Sequence, residues 1–402
     1  MLALLKLSLV LGLIIVLQKY HWDLGLTLFL GALGTGLLFG RPLLALGQDA
    51  FHVLTDSLTW RLTGAVVLVL FLGEAMRRTA SLQGLVHALE TLIADNRLIL
   101  PVIPALIGLL PMIGGAIFSA PLVDEVGNTL GLSPARKTYI NFWFRHIWEY
   151  LNPMAPAFIL ATGIFGVSVP TLMGALYPLA LAAVAIGIVV GLRRIPRPAT
   201  DSQPGPTRQR ESLEELGRSI WPIALVIFLA IGLRVDFLLS LGVTVLLLAA
   251  LHHIPLRELA GMARRSVPPH TVALVLGVMY FKETIETSGA VIEVPDALAQ
   301  LGIAPLVVIF AVPALVGFLT GALAGAFGVS LPLVLPLISQ DAYMTQAMLA
   351  YAGGMAGIML SPLHLCLALT KDYFKSPWGP IYRLLVPSVA LETVAAMLLV
   401  IA

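Results

Sequence analysis

Apolar runs close to the roughly 20 residues that a helix needs to cross a bilayer recur from the first residues to the last, separated by short polar interruptions. In the first half they predict helices over Leu2–Gln18, Leu24–Gly40, Leu62–Met76, Thr138–Phe165 and Pro170–Leu192. In the second half they predict Ile220–Leu233, Phe237–Leu251, His270–Ser288, Tyr343–Leu369 and Ile381–Ala402. Two longer runs, 98–130 and 303–338, carry Gly, Ser and Pro near their middles. Helix breakers deep in lipid are tolerated where the freed backbone is buried in protein or lines a cavity, so both runs predict re-entrant helical hairpins. The stretch MLALLKLSLVLGLIIVLQ lacks the basic start and the small-residue cleavage site of a signal peptide and reads as the first membrane helix. The expected fold class is an all-α polytopic membrane protein with about ten transmembrane helices plus the two hairpins.

The pattern also repeats. PALIGLLPMIGGAIFSAPLV from Pro104 resembles PALVGFLTGALAGAFGVSLPLV from Pro313, and LNPMAPAFILAT from Leu151 resembles LSPLHLCLALTK from Leu360. Pro104/Pro313 and Pro153/Pro362 share one separation of 209 residues, a register that unrelated apolar helices would not keep. A weaker match pairs Asp23 with Asp236, each opening a predicted helix as an N-cap would. The expected organisation is a first repeat over 1–192, with its hairpin at 98–130 and a broken helix at 138–165. A linker over 193–218 follows, then a second repeat over 219–402 with its hairpin at 303–338 and a broken helix at 343–369. Five crossings per repeat is an odd number, which inverts the second copy and gives a 5+5 inverted-topology repeat with both hairpin tips near the midplane.

Composition agrees with a lipid setting: 58% of the 402 residues are hydrophobic and 11% charged, too little polarity to cover a soluble globule of this size. The net charge of +2 gives no reason to expect nucleic acid as a partner. The 193–218 segment is rich in Pro, Arg, Glu and Ser and reads as a solvated cytoplasmic linker. That placement leaves Arg41, Arg61 and Arg234 outside and Lys6, Arg145 and Lys282 within membrane segments. Both termini are then expected outside the inner (plasma) membrane. VIEVPDALAQ, with Glu293 and Asp296 but no base, fits an exterior loop. One cysteine, Cys366, excludes an intrachain disulfide and a multi-cysteine cluster.

Candidate chemistry gathers at the hairpins and helix breaks. Gly114, Gly115 and Ser119 mark the first tip, and Gly325 and Ser330, with Ala324 and Gly328, the second. The same small residues also suit close helix packing. Asn152-Pro153 and Ser361-Pro362 interrupt two apolar helices, freeing the carbonyls of Glu149 and Ile358 and turning half-helix ends inward. Asn141, Arg145, Glu149 and Asn152 share one helical face. Arg145 suits an anionic substrate and Glu149 a proton or an ion pair with Arg145, since charges inside a membrane face a cavity or a partner. His146 and His364 flank the breaks. Lys282 can reach Glu286 beside Glu283, Glu392 stands alone in the last helix, and Asp124 and Glu125 close the first hairpin in water.

Pro111 to Phe165, with GGAIFSAP and NFWFRHIWEYLNP, resembles an uncharacterised prokaryotic membrane family, domain of unknown function 401. That family looks like a branch of the ion transporter superfamily, with its dicarboxylate/sodium symporters, citrate and gluconate permeases and arsenite exporters. The resemblance implies scaffold helices, hairpin tips flanking the substrate, and sodium or proton coupling. The symporters' Ser-Asn-Thr tip motifs are reduced here to Ser119 and Ser330.

These readings converge on a secondary transporter for a small anionic solute, coupled to Na+ or H+ and holding no other cofactor. The expected substrate contacts are Gly114, Gly115, Ser119, Asn141, Arg145, Glu149, Asn152, Gly325, Ser330, Ser361 and His364, between the breaks at Pro153 and Pro362. A homodimer is an expectation by analogy with the superfamily. The competing classes are a membrane-embedded enzyme built on His146 and Glu149, and a channel.

Overall fold

The computed structural model describes residues 2–20, 22–79, 81, 84, 88, 92–93, 96–109, 116–193, 195, 206–255, 257–259, 261–262 and 269–401. Among these there are helices and no strand. The first half holds α1 (Leu2–Lys19), α2 (Leu24–Leu38), α3 (Leu43–Thr55), α4 (Ser57–Arg78), α5 (Asn96–Gly108), α6 (Ala116–Thr129), α7 (Pro134–His146), α8 (Pro156–Phe165) and α9 (Val169–Gly187). The second holds α10 (Pro206–Ile227), α11 (Phe237–Leu251), α12 (Pro269–Thr287), α13 (Ala290–Gln300), α14 (Pro305–Thr320), α15 (Leu323–Val334), α16 (Tyr343–Leu360), α17 (Leu365–Tyr373) and α18 (Trp378–Ile401).

Local sequence sets many of these starts. Asp23 and Asp236 cap α2 and α11 by accepting from the amides of Leu26 and of Leu238 and Leu239, donors that the first turn otherwise leaves unpaired. Ser133 and Ser168 cap α7 and α9 in the same way, and Pro134 and Pro156 occupy first helical positions, where a missing amide hydrogen costs nothing. The starts of α5, α7, α8 and α9, at Asn96, Pro134, Pro156 and Val169, recur 209 residues on as those of α14, α16, α17 and α18, at Pro305, Tyr343, Leu365 and Trp378.

Five helical stretches among the described residues are long and apolar enough to cross a membrane: Ser57–Arg78, Val169–Leu192, Gln209–Gly232, Gln340–Tyr373 and Trp378–Ile401. Six shorter apolar helices, among them Leu2–Gln18, Leu24–Leu38 and Phe237–Leu251, accompany them. The count falls below the ten or so expected because Leu2–Gln18, Leu24–Leu38 and Phe237–Leu251 are undivided but short, and the 138–165 run is interrupted between His146 and Pro156. On α1, Leu2, Leu5, Leu9, Leu13 and Val16 remain exposed at helical spacing, as a lipid-facing stripe requires.

Three expectations are corrected. Residues 43–55 form α3, which the apolar pattern passed over. VIEVPDALAQ is helix α13, bent 112° from α14, rather than a loop. The polar segment before the second half is already helical from Pro206, so Arg210 to Arg218 belong to α10.

The interior lies around α7, α8, α15 and α16, where residues 137–147 and 347–359 are buried without interruption. Within each half, α5 packs on α7 and α14 on α16. Between halves, α2 packs on α12 and α4 on α11, while α6 reaches α17 and α15 reaches α8. The second arm of each hairpin therefore rests on the broken helix of the other half.

Candidate functional site

Two helix breaks lie in this interior, and each is tied to the hairpin of its own half by the side chain preceding a proline. After α7 the chain tightens into a 3-10 turn, Ile147–Tyr150, before Pro153. Asn152 Nδ2 donates to Leu109 O at 3.3 Å, and Asn152 Oδ1 accepts from Met154 N at 3.0 Å. At the second break, Ser361 Oγ donates to Phe318 O at 2.6 Å and accepts from Leu363 N at 3.2 Å. The backbone bond from Ala155 N to Asn152 O likewise recurs from His364 N to Ser361 O. All of these pairs are 209 residues apart.

The approach of hairpin to broken helix recurs as well. A Cβ at Gly108 would lie 2.0 Å from Arg145 O, and one at Gly317 would lie 2.7 Å from Gly354 O, again 209 residues on. Only glycine lets the backbones meet this closely. The carbonyl of Glu149, which Pro153 leaves without its helical donor, accepts from Tyr351 OH at 2.5 Å. A bond between the halves thus satisfies a group that lipid could not.

The two histidines meet at the same level. His146 Nε2 and His364 Nε2 are 2.9 Å apart, His146 Nδ1 is 2.7 Å from Phe142 O, and His364 Nδ1 is 2.6 Å from Gly321 O. Gly321 ends α14 in the left-handed conformation (φ 65°), which turns its carbonyl toward the second break. Both rings are buried, and a nitrogen of each lies within 4.8 Å of Cys366 Sγ. A metal ion bound at about 2.0–2.1 Å by both nitrogens would spread them to roughly 3.3 Å, so the observed spacing suits a hydrogen bond better. Arg145 is buried, and its charge acts on Glu149, His146 and His364.

A family profile described as "Protein of unknown function (DUF401)" matches residues 3–402. The chain belongs to the DUF401 family. Its structure is similar to that of the YdaH transporter of Alcanivorax borkumensis, with a TM-score of 0.59 and 13% identity over 88% of each chain. At that identity the likeness is one of fold. No curated protein matches the sequence of this DUF401 chain.

Of the residues singled out from the sequence, Asn141, Arg145, Asn152, Ser361 and His364 are all buried in the DUF401 fold. Asn141 Nδ2 donates to Thr370 Oγ1 of α17 at 3.3 Å, another link between the halves. Gly114 and Gly115 lie outside the described residues. Ser119 is buried on α6. The second hairpin turns at Gly321–Ala322, ahead of the small-residue run expected to form its tip. Gly325 consequently packs against Leu24, and Ser330 Oγ donates to Ala326 O at 2.6 Å within α15.

Glu149 lies outside the His146–His364–Cys366 group. Asp124, expected in water, pairs with the buried Lys137 at 2.5 Å, because α6 folds back on α7. Lys282 reaches Glu286 at 2.9 Å, and Glu283 meets His52 at 3.0 Å. Glu392 is buried in electrostatic contact with Tyr139 and Tyr150, while Tyr139 OH and Ser388 Oγ are 2.8 Å apart. The contacts His146–His364 and Tyr351–Glu149 carry no local sequence signal. Their partners are 218 and 202 residues apart.

Each latch should be measurable. Asn152→Ala and Ser361→Ala are each expected to destabilise the protein by about 1–3 kcal/mol, since a buried carbonyl and a buried amide lose their partner. The readout is a lower apparent Tm in detergent, with Asn152→Ser recovering part of the loss. An unchanged Tm in both alanine variants would count against the latches.

Proposed function

We propose that this DUF401 protein is a secondary active transporter moving a small anionic solute by alternating access, coupled to a proton or sodium gradient. The observation that carries the reading is the repeated latch: two broken helices, each bonded to its own hairpin, with the hairpins' second arms exchanged between halves. Discontinuous helices facing each other at the interface of an internal repeat are how many carriers build a midplane site. The 209-residue recurrence of helix starts and side-chain bonds supports a 5+5 inverted repeat, and the shared fold with the YdaH transporter supports carriage of a solute. In this reading the chain is a multi-pass inner-membrane protein of the ion transporter type, with a cytoplasmic linker and external termini. It works without catalytic chemistry and assembles as a homodimer.

Arg145 neutralises the anion, with Asn141, Asn152, Ser361 and the first hairpin tip as further contacts. The N-terminus of α8 follows the first break at Pro156, and its amide dipoles also favour negative charge. The enzyme reading needs His146, Glu149 and another His or acid to cluster; His146 meets His364, and Glu149 lies outside their group.

The test is flux in proteoliposomes containing the purified full chain, with a panel of small carboxylates and inorganic anions under imposed sodium or proton gradients. Gradient-dependent, saturable accumulation of an anion is expected. Ohmic, non-saturating conductance would favour a channel, and uptake of neutral or cationic solutes alone would overturn the anion assignment.

A further inference from the structure

Carbonyl oxygens accept hydrogen bonds and cannot donate them. The contacts of His146 Nδ1 with Phe142 O and of His364 Nδ1 with Gly321 O therefore each require a hydrogen on Nδ1. A neutral imidazole carries one hydrogen, so two neutral rings placed in this way have bare Nε2 atoms. Those atoms face each other at 2.9 Å, lone pair to lone pair. Three short contacts require three hydrogens, and two neutral rings supply two.

We propose that His146 and His364 form a proton-binding site that holds one proton between their Nε2 atoms, joining the two broken helices. The proton enters as H+ and makes an N–H···N bond. When it leaves, both rings are neutral and the Nε2 contact is the one that opens, because the two Nδ1 bonds are fixed to backbone.

Aromatic and charged groups surround the pair. The Phe142 ring centroid lies 4.5 Å from that of His146 and 5.5 Å from that of His364, at interplanar angles of 51° and 62°. The charged and titratable groups near the pair are Arg145 and Glu149 on the α7 side and Cys366 on α17, with Tyr351 of α16 bound to the Glu149 carbonyl. None of residues 110–118, between α5 and the buried part of α6, is ionisable. Arg145 opposes the added charge. An anion bound at Arg145 would therefore favour the proton, and the proton the anion. That last step rests on the transporter reading and makes the coupling a symport of anion with H+.

The test needs no substrate. The full chain is labelled with 15N-histidine, purified in detergent, and its imidazole nitrogens are followed by NMR from about pH 4 to about pH 9. His146→Gln and His364→Gln serve to assign the signals. The expected result is a single transition shared by both residues, with one proton taken up for the pair and both Nδ1 atoms protonated throughout. Either glutamine variant should lose the shared transition from the remaining ring.

Independent titration of the two rings with two protons taken up, or no change at either Nε2 over the range, would overturn the proposal. So would equimolar Zn2+ or Cu+ bound to the purified protein and lost in Cys366→Ser, which would make the pair a metal site. Flux separates this from the transporter reading. A shared transition without transport under any gradient defeats only that reading, and sodium-driven transport without the transition defeats only the proton site.

Discussion

Gly357→Ala is expected to lower the apparent Tm of the purified protein by about 2–6 °C, corresponding to about 1–3 kcal/mol of overpacking. A Cβ there would lie 2.1 Å from Ala314 O and 2.8 Å from Phe318 N, both backbone atoms of α14. Backbone cannot swing aside as a side chain can, so α14 and α16 must part. Gly353, one turn earlier, meets Phe310 O in the same way, with 2.3 Å left for a Cβ. The two form a small-xxx-small seam, a device that membrane helices use where apolar burial supplies little drive to associate.

The matched control is Gly174→Ala on the exposed face of α9, where nothing lies within 4 Å of a Cβ. It should leave Tm within about 1 °C of wild type. Because Phe318 O also receives the Ser361 hydroxyl, parting the seam should disturb the second break and reduce flux as well. A Gly357→Ala protein that melts and transports like wild type would show that this approach is not required.

Arg145→Ala is expected to weaken anion transport about 10- to 100-fold, the equivalent of one charge-assisted hydrogen bond of about 1.5–3 kcal/mol. The residue is buried where an uncompensated charge is costly, and its field reaches Glu149 and both histidines. Arg145→Lys should fall between wild type and alanine, keeping the charge without the planar fork that grips a carboxylate or phosphate. Insertion and Tm are checked alongside, so that loss of fold is not read as loss of contact. Full-rate uptake by correctly inserted Arg145→Ala would remove this residue from the solute's path.

Proline and polar residues made the breaks legible. Asn152-Pro153 and Ser361-Pro362 stand out in apolar sequence, and Pro153 identifies the carbonyl of Glu149 as one left without its helical donor. The group that answers that carbonyl, Tyr351, was not legible, because nothing near either residue encodes a contact across 202 positions. The turn of the second hairpin was placed too late because a run of Gly, Ala and Ser does not distinguish a tip from a packing face. The left-handed Gly321 is a backbone property that neighbouring glycines conceal. Helix α13 was missed for another reason: Pro295 and two acids imitate a loop when the apolar face that settles onto α1 is not yet known.

The spacing between hairpin and break acts as a ruler. Pro104 and Pro313 are offset by 209, Pro121 and Pro332 by 211, and Pro153 and Pro362 by 209 again. The two residues gained at the second tip are given up before the following break, so the separation from Leu109 to Asn152 and from Phe318 to Ser361 is 43 in both copies. Length can drift inside this interval only if it is cancelled inside it. One uncancelled residue in a helix leading to the break would rotate the latch by about 100° and carry its side chain off the carbonyl it holds.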